Sequence, residues 1–265
     1  MEDRKQFVIA VDGFCDENAE QLIADGVKIF PTKVFIGGEP IDPPTDNAER
    51  NRIITLSKNG ENTVIRSFAA DYERFFDSVL DEHDGGDVLF LCADGNAAAA
   101  QKAAENCMVK FYGSNIFVLP AQGKGAAVVP LLERALSLRG GGETAQNTFA
   151  ELNAVAEKIV SFAIVPNVDK FAAYKIVRFS GGTKFDRLCR GNAKIAALVS
   201  AEVKNANANC VYISHAGNHA FVTKIATAVA ENCPDVKIKT GFCSPATIAV
   251  TAPRAVSVGY ISRKS

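Results

Sequence analysis

Asp87-Val-Leu-Phe-Leu-Cys-Ala-Asp-Gly-Asn-Ala-Ala-Ala-Ala-Gln101 is the stretch whose reading decides the fold. The apolar run from Val88 to Leu91 stops at Cys92, a turn-forming Ala93-Asp94-Gly95-Asn96 follows, and an alanine-rich segment of high helix propensity takes over. This is a strand, a tight loop and a helix. In an open α/β sheet, ligands bind in the crevice beyond the carboxyl ends of the strands, and a helix opening there presents unpaired N–H groups and the positive end of its dipole. An anionic group fits such a place. The plainer account is that Asp94 or Asn96 caps the helix.

The same alternation runs outward in both directions. Upstream, residues 7–11 form an apolar strand ending at Asp12-Gly13, residues 16–24 a helix capped by Asp16 or Asn18, and residues 27–30 and 33–36 two further strands. Gly37-Gly38 makes a hairpin turn, Asp46 or Asn47 opens a helix to about residue 57, and residues 63–67 are extended. Residues 69–80 form an amphipathic helix with Tyr72, Phe75, Phe76 and Leu80 on one face.

Downstream, residues 115–119 are a strand, and Gln122-Gly-Lys-Gly125 leads into a helix over 126–138. A Gly-Lys-Gly loop holds phosphate in some folds. Here neither a full dinucleotide-binding spacing nor a Walker pattern accompanies it, and the loop is read as packing. Helices are expected over 144–159, 168–174 and 218–232, and strands over 161–165, 195–203, 210–215, 236–240 and 255–261, with 179–190 irregular. The strand over 236–240 is expected near a sheet edge.

Strands alternating with helices in both halves define an α/β protein. Arg139-Gly-Gly-Gly142 suits no element interior and marks the expected boundary. The expected organisation is thus two three-layer α/β domains, residues 1–142 and 143–265, with mainly parallel sheets and a ligand cleft between them. A chain of 265 residues, 48% hydrophobic, is long enough for two cores.

Charge and composition exclude some classes of function. Lys and Arg number 29 against 30 Asp and Glu, a net charge of −1, so the basic field that nucleic-acid binding draws on is missing. The charged opening, Met1-Glu-Asp-Arg-Lys-Gln6, leads straight into a strand, and no stretch has the length and apolarity of a membrane span. The protein is expected in the cytoplasm. Seven scattered cysteines without a CxxC pair are read as reduced, mostly buried side chains.

Catalytic groups are sparse. His83 lies in a polar loop, and His215 and His219 have metal-like spacing but no cysteine or carboxylate nearby to complete a set, so a surface or capping role is expected. Cys15 and Cys92 end strands without a neighbouring base. No catalytic residue, metal or cofactor is therefore assigned.

The order of elements resembles that of the DegV family, bacterial two-domain proteins that bind a fatty acid between their domains. Ile9-Ala-Val-Asp-Gly-Phe-Cys-Asp16 is similar to the family's opening strand and its Asp-Ser-x-x-Asp loop, with Gly13 in the serine position. Gly26-Val-Lys-Ile-Phe-Pro31 matches the segment that follows. Thr63-Val-Ile-Arg-Ser67 resembles a Thr-Ser-x-Pro-Ser segment, and Cys92 to Ala98 stands where the family has Ser-Ser-x-Leu-Ser-Gly-Thr. Ala249-Val-Thr-Ala-Pro-Arg254 stands in place of Thr-His-x-Gly-Pro-Gly, with Val250 at the histidine.

The resemblance implies a fatty acid or similar amphipathic anion as ligand, presented to a fatty-acid kinase. It implies a head-group site drawn from Thr63, Ser67, Ala93, Asp94, Gly95 and Asn96. Either Arg178 or the Gly181-Gly-Thr-Lys184 segment takes the place of a family arginine, and Arg254 restores a positive group near the lost histidine. Because the serines are gone and an Asp has arrived, a cytoplasmic regulatory or interaction module that has lost the lipid is the second reading. The third is an enzyme acting on a small phosphorylated or carboxylated metabolite through Asp12, Asp94 and Lys124.

Overall fold

The computed structural model describes residues 6–44, 46–167, 173–180 and 182–264. Its first sheet is built on β1 (Val8–Val11) and β6 (Val88–Cys92), every residue of which is buried. Continuous apolar strands of this kind need cover on both faces, and a parallel sheet flanked by helices gives it. The order is β2 (Val27–Ile29), β1, β6, β7 (Ile116–Pro120), all parallel.

One face is covered by α3 (Ala69–Glu82) and α4 (Ala97–Lys110). Tyr72, Phe76 and Leu80 meet Phe90 there, and the small side chains of Ala100, Ala103 and Ala104 let α4 lie close. The other face is covered by α1 (Ala19–Ala24), α5 (Val129–Gly140) and α6 (Ala145–Ala156). A small antiparallel sheet, β4 (Glu39–Ile41), β3 (Val34–Ile36) and β5 (Asn62–Val64), carries α2 (Asn47–Leu56), which Asp46 caps as expected.

The second sheet has the order β10 (Thr183–Arg190), β9 (Ala173–Phe179), β8 (Ile159–Pro166), β13 (Val256–Ile261), β11 (Cys210–His215), β12 (Lys237–Phe242). Here the expectation of a mainly parallel sheet is corrected. Only β11 and β12 pair in parallel, while β10, β9, β8, β13 and β11 run antiparallel in succession. The reason is connectivity: β9 and β10 are joined by a short hairpin and have no crossover helix. α7 (Asn192–Asn205) and α8 (His219–Asn232) pack together on this sheet, and α9 (Pro245–Thr251) lies near β3 and β5.

Two expected elements change type. Residues 195–203 lie within α7, where Ile195, Val199 and Val203 recur at intervals of four and are buried together. Residues 183–190 form a strand whose side chains are mostly exposed, so no buried face announced it. The helix expected over 168–174 falls on residues outside those described up to 172; Ala173 and Tyr174 belong to β9. The expected edge position of β12 is found.

Gly140 ends α5, yet α6 beyond the glycine run returns to the first sheet, with Phe149 against Phe117 at 5.6 Å. The change of sheet comes later, at β8. The two sheets are stitched together by polar and close-packed contacts. The carboxylate of Asp16 accepts the Ser214 hydroxyl and the Ser244 N–H (2.8 Å), and the Ser257 hydroxyl accepts the Ala126 N–H at 3.1 Å. Gly259 lies so close to the turn at Ala127 that a Cβ there would collide with backbone. No helix among the described residues is long and apolar enough to cross a membrane.

Candidate functional site

A cleft of about 690 Å³ opens beyond the carboxyl ends of β6 and β7 and reaches the second sheet at Phe179, Gly182 and Thr183. Its size is within the range of small-molecule sites. Phe14, Val64, Ile65 and Val250 give it apolar wall; Ile65 and Val250 are 42% and 44% exposed. Arg66, Asp94, Asn96 and Lys124 give it a polar end.

The loop at that end is built by hydrogen bonds to two carboxylates. Asp12, at the end of β1, accepts the Ala93 N–H (2.5 Å), the Asp94 N–H (2.7 Å) and the Phe14 N–H (3.0 Å). Burial and the neighbouring Asp94 push its pKa up to about 7, against the lowering effect of the three N–H donors. Asp94 turns back on the loop: Oδ1 accepts the Asn96 N–H at 2.7 Å and the Cys92 thiol at 3.2 Å, and Oδ2 accepts the Tyr72 hydroxyl. Burial holds the Tyr72 hydroxyl and the Cys92 thiol protonated, Asp94 reinforcing it in both and Asp12 acting strongly on the thiol.

Asn96 is the N-cap residue of α4, but its side chain bridges elsewhere. Its Oδ1 accepts Arg66 at 3.0 Å, and its amide donates to the Ser67 carbonyl. Lys124 reaches across the cleft from the loop after β7, donating to the Ala93 carbonyl at 2.7 Å and lying 3.8 Å from the centre of the Phe14 ring. Burial lowers its pKa, while Asp12 and Asp94 pull the other way. Ligand atoms of Asp12, Cys92 and Asp94 lie within 4.8 Å of one another. Each already takes part in hydrogen bonds within the loop, so the set works as a network that shapes it.

Of the residues expected at the site, Ala93, Asp94, Gly95 and Asn96 line the cleft together. Ser67 is buried behind it and contributes its carbonyl. Thr63 is exposed on β5, paired with Phe35, and does not line the cleft, because the alternation of the strand turns Val64 inward instead. Arg178 is held by Asp186 and Glu202 on the second sheet. Arg254 is exposed in the turn before β13, where its carbonyl accepts the Asn218 amide. Neither arginine lines the cleft.

Two cations do line it that the sequence reading had not assigned to the head group. Arg66 lies inside the Thr63 to Ser67 segment, just beyond the end of β5, where Val64, Ile65 and Arg66 all line the cleft. Lys124 sat in the loop read as packing, and that reading holds for its neighbours: a Cβ on Gly123 would collide with Ser161, and Gly125 has φ +65°. His215 is buried rather than at the surface, with Phe242 at 4.8 Å and a pKa lowered to about 4 by burial and then by His219.

The sequence matches no family model and no curated protein. The fold matches solved structures along almost its whole length. A DegV family protein from Eubacterium eligens loaded with heptadecanoic acid superposes with a TM-score of 0.81 at 14% identity, covering 97% of this chain and 100% of that one. The chain has the DegV fold. A DegV lipid-binding protein from Thermotoga maritima gives 0.81 at 16% identity over 98% and 99% of the two chains. The Fatty Acid Kinase B3 protein of Streptococcus pneumoniae, loaded with linoleic acid, gives 0.80 at 14% identity over 97% and 99%. Within the DegV fold, the cleft described above lies where the first sheet's strand ends face the second sheet.

Proposed function

We propose that this chain binds a long-chain fatty acid in the cleft and acts as a non-catalytic carrier in the cytoplasm, presenting the lipid to a kinase partner. One observation carries the reading. A cleft of about 690 Å³ combines apolar wall from Phe14, Ile65 and Val250 with a polar end at the opening of α4, in a fold whose solved examples include proteins loaded with heptadecanoic and linoleic acids. Burying an acyl tail gains about 0.8 kcal/mol per methylene, so about sixteen methylenes gain about 13 kcal/mol, on the scale of an association cost of about 4–15 kcal/mol. The polar end supplies Asn96, Arg66 and the first N–H groups of α4 for the head. The free thiols accord with a reducing compartment.

The experiment is extraction of the purified protein with organic solvent and mass spectrometry of the extract, followed by reloading of the stripped protein with fatty acids of graded length. Co-purified lipid, or saturable binding of one molecule per chain, supports the reading. If no lipid is extracted and none binds, the reading fails and the interaction module takes its place.

A further inference from the structure

Asp94 stands at the polar end of the cleft, on the loop that opens α4. Its carboxylate draws on a phenolic hydroxyl from Tyr72, a backbone N–H from Asn96 and a thiol from Cys92. The hydroxyl and the N–H are donors of the kind a bound carboxylate would use. The N–H groups of Ala93 and Asp94 are already given to Asp12. The donors of this loop therefore serve two carboxylates of the chain itself.

The charges facing Asp94 are Asp12 from the end of β1 and Lys124 from the loop after β7. Lys124 is committed to the Ala93 carbonyl, and one ammonium is shared between two acids. Arg66 is exposed to solvent and bonded to Asn96. A ligand carboxylate would place another full charge beside Asp94 in a partly desolvated corner, and two carboxylates in one site cannot both stay ionised without a large cost. An ionised carboxylate offers about four lone-pair sites, and three donors occupy those of Asp94, so one acceptor position remains.

Resting on the acyl-chain reading above, we propose that Asp94 sets head-group selection in this cleft: the ligand is an acyl-chain compound with an uncharged, hydrogen-bond-donating head. A fatty alcohol, a fatty amide or a fatty acid that keeps its proton meets that description. A carboxylate anion meets it less well and binds more weakly. The resident carboxylate accepts from the head, and the Asn96 side chain and Arg66 complete its surroundings.

The test compares dodecan-1-ol with dodecanoate by calorimetry on the stripped protein at pH 8, where free dodecanoate is ionised. The expected result is at least tenfold tighter binding of the alcohol. In Asp94→Asn, which keeps the shape and removes the charge, the preference shrinks to threefold or less. Asp94→Ser serves the same purpose should the first variant fail to fold. Wild-type protein that binds dodecanoate as tightly as the alcohol overturns the proposal and leaves the acyl-chain reading standing, as does a preference unmoved in both variants. If neither lipid binds any of the proteins, both readings are overturned.

Discussion

A carboxyl group that accepts three backbone N–H bonds is ordinarily held ionised, yet burial and Asp94 push Asp12 up to about 7, from 3.8. Its folded-state pKa lies above the unfolded one, so folding takes up a proton between these values. The contribution of Asp12 to stability is fully present below about pH 4 and is lost as pH rises through 7; Asp16, pushed up to about 6 by burial, adds in the same direction. Urea denaturation at pH 5 and pH 8 should give a lower unfolding free energy at pH 8, and Asp12→Asn should shrink that difference by on the order of 3 kcal/mol. An Asp12→Asn profile parallel to wild type would contradict this. In the cleft, Asn96→Leu removes a donor and leaves Arg66 and the Ser67 carbonyl without their partner, which should weaken lipid binding by about 1–3 kcal/mol. Thr63→Val, exposed and outside the cleft, should leave binding unchanged; an equal loss in both variants would mean that the head lies toward β5.

Elements with a periodic buried face were legible in the sequence, and those without one were not. The apolar runs of β1 and β6 and the amphipathic spacing of α3 announced themselves. β10 did not, because Thr183 to Arg190 presents exposed side chains on both faces and follows a glycine pair. In α7 the apolar content suggested a strand, although the four-residue spacing of Ile195, Val199 and Val203 was the better guide. At the site, the loop residues could be read, but the choice of Arg66 over Thr63 depends on where β5 ends and which way the chain leaves it, which the chain alone does not fix. The joint between sheets makes its own prediction. Gly259 on β13 has no room for a methyl group against Ala127, so Gly259→Ala should lower stability by about 1–3 kcal/mol, measured by thermal unfolding. A wild-type melting temperature in this variant would show that the turn yields freely.

At the scale of the whole molecule, strand direction in the second sheet was the least legible feature, since β13 pairs antiparallel with β8 and β11, partners distant in sequence. The domain boundary remains a proposal. We expect protease to nick residues 140–142, which are exposed, but the fragments to stay together on gel filtration, because α6 packs on the first sheet and Asp16 bonds across to Ser214 and Ser244. Separation of the fragments in native buffer would instead favour a boundary at the glycine run. Thiol titration reads the same solidity: Cys189 and Cys210, half-buried, should react first, and the five buried thiols only on unfolding.

The loop at residues 122–128 belongs to two structures at once. Its backbone is anchored to the second sheet, the Lys124 N–H and carbonyl both bonded to the Ser161 hydroxyl at 3.2 and 3.1 Å, while the lysine side chain spans the cleft to Ala93 on the first. The side chain acts as a tether of limited reach, so one residue bounds how far the sheets can part on this side while its bond to Ala93 holds. Any guest thick enough to widen that gap pulls through Lys124 on Ser161, in the middle of the second sheet, until the bond to Ala93 breaks.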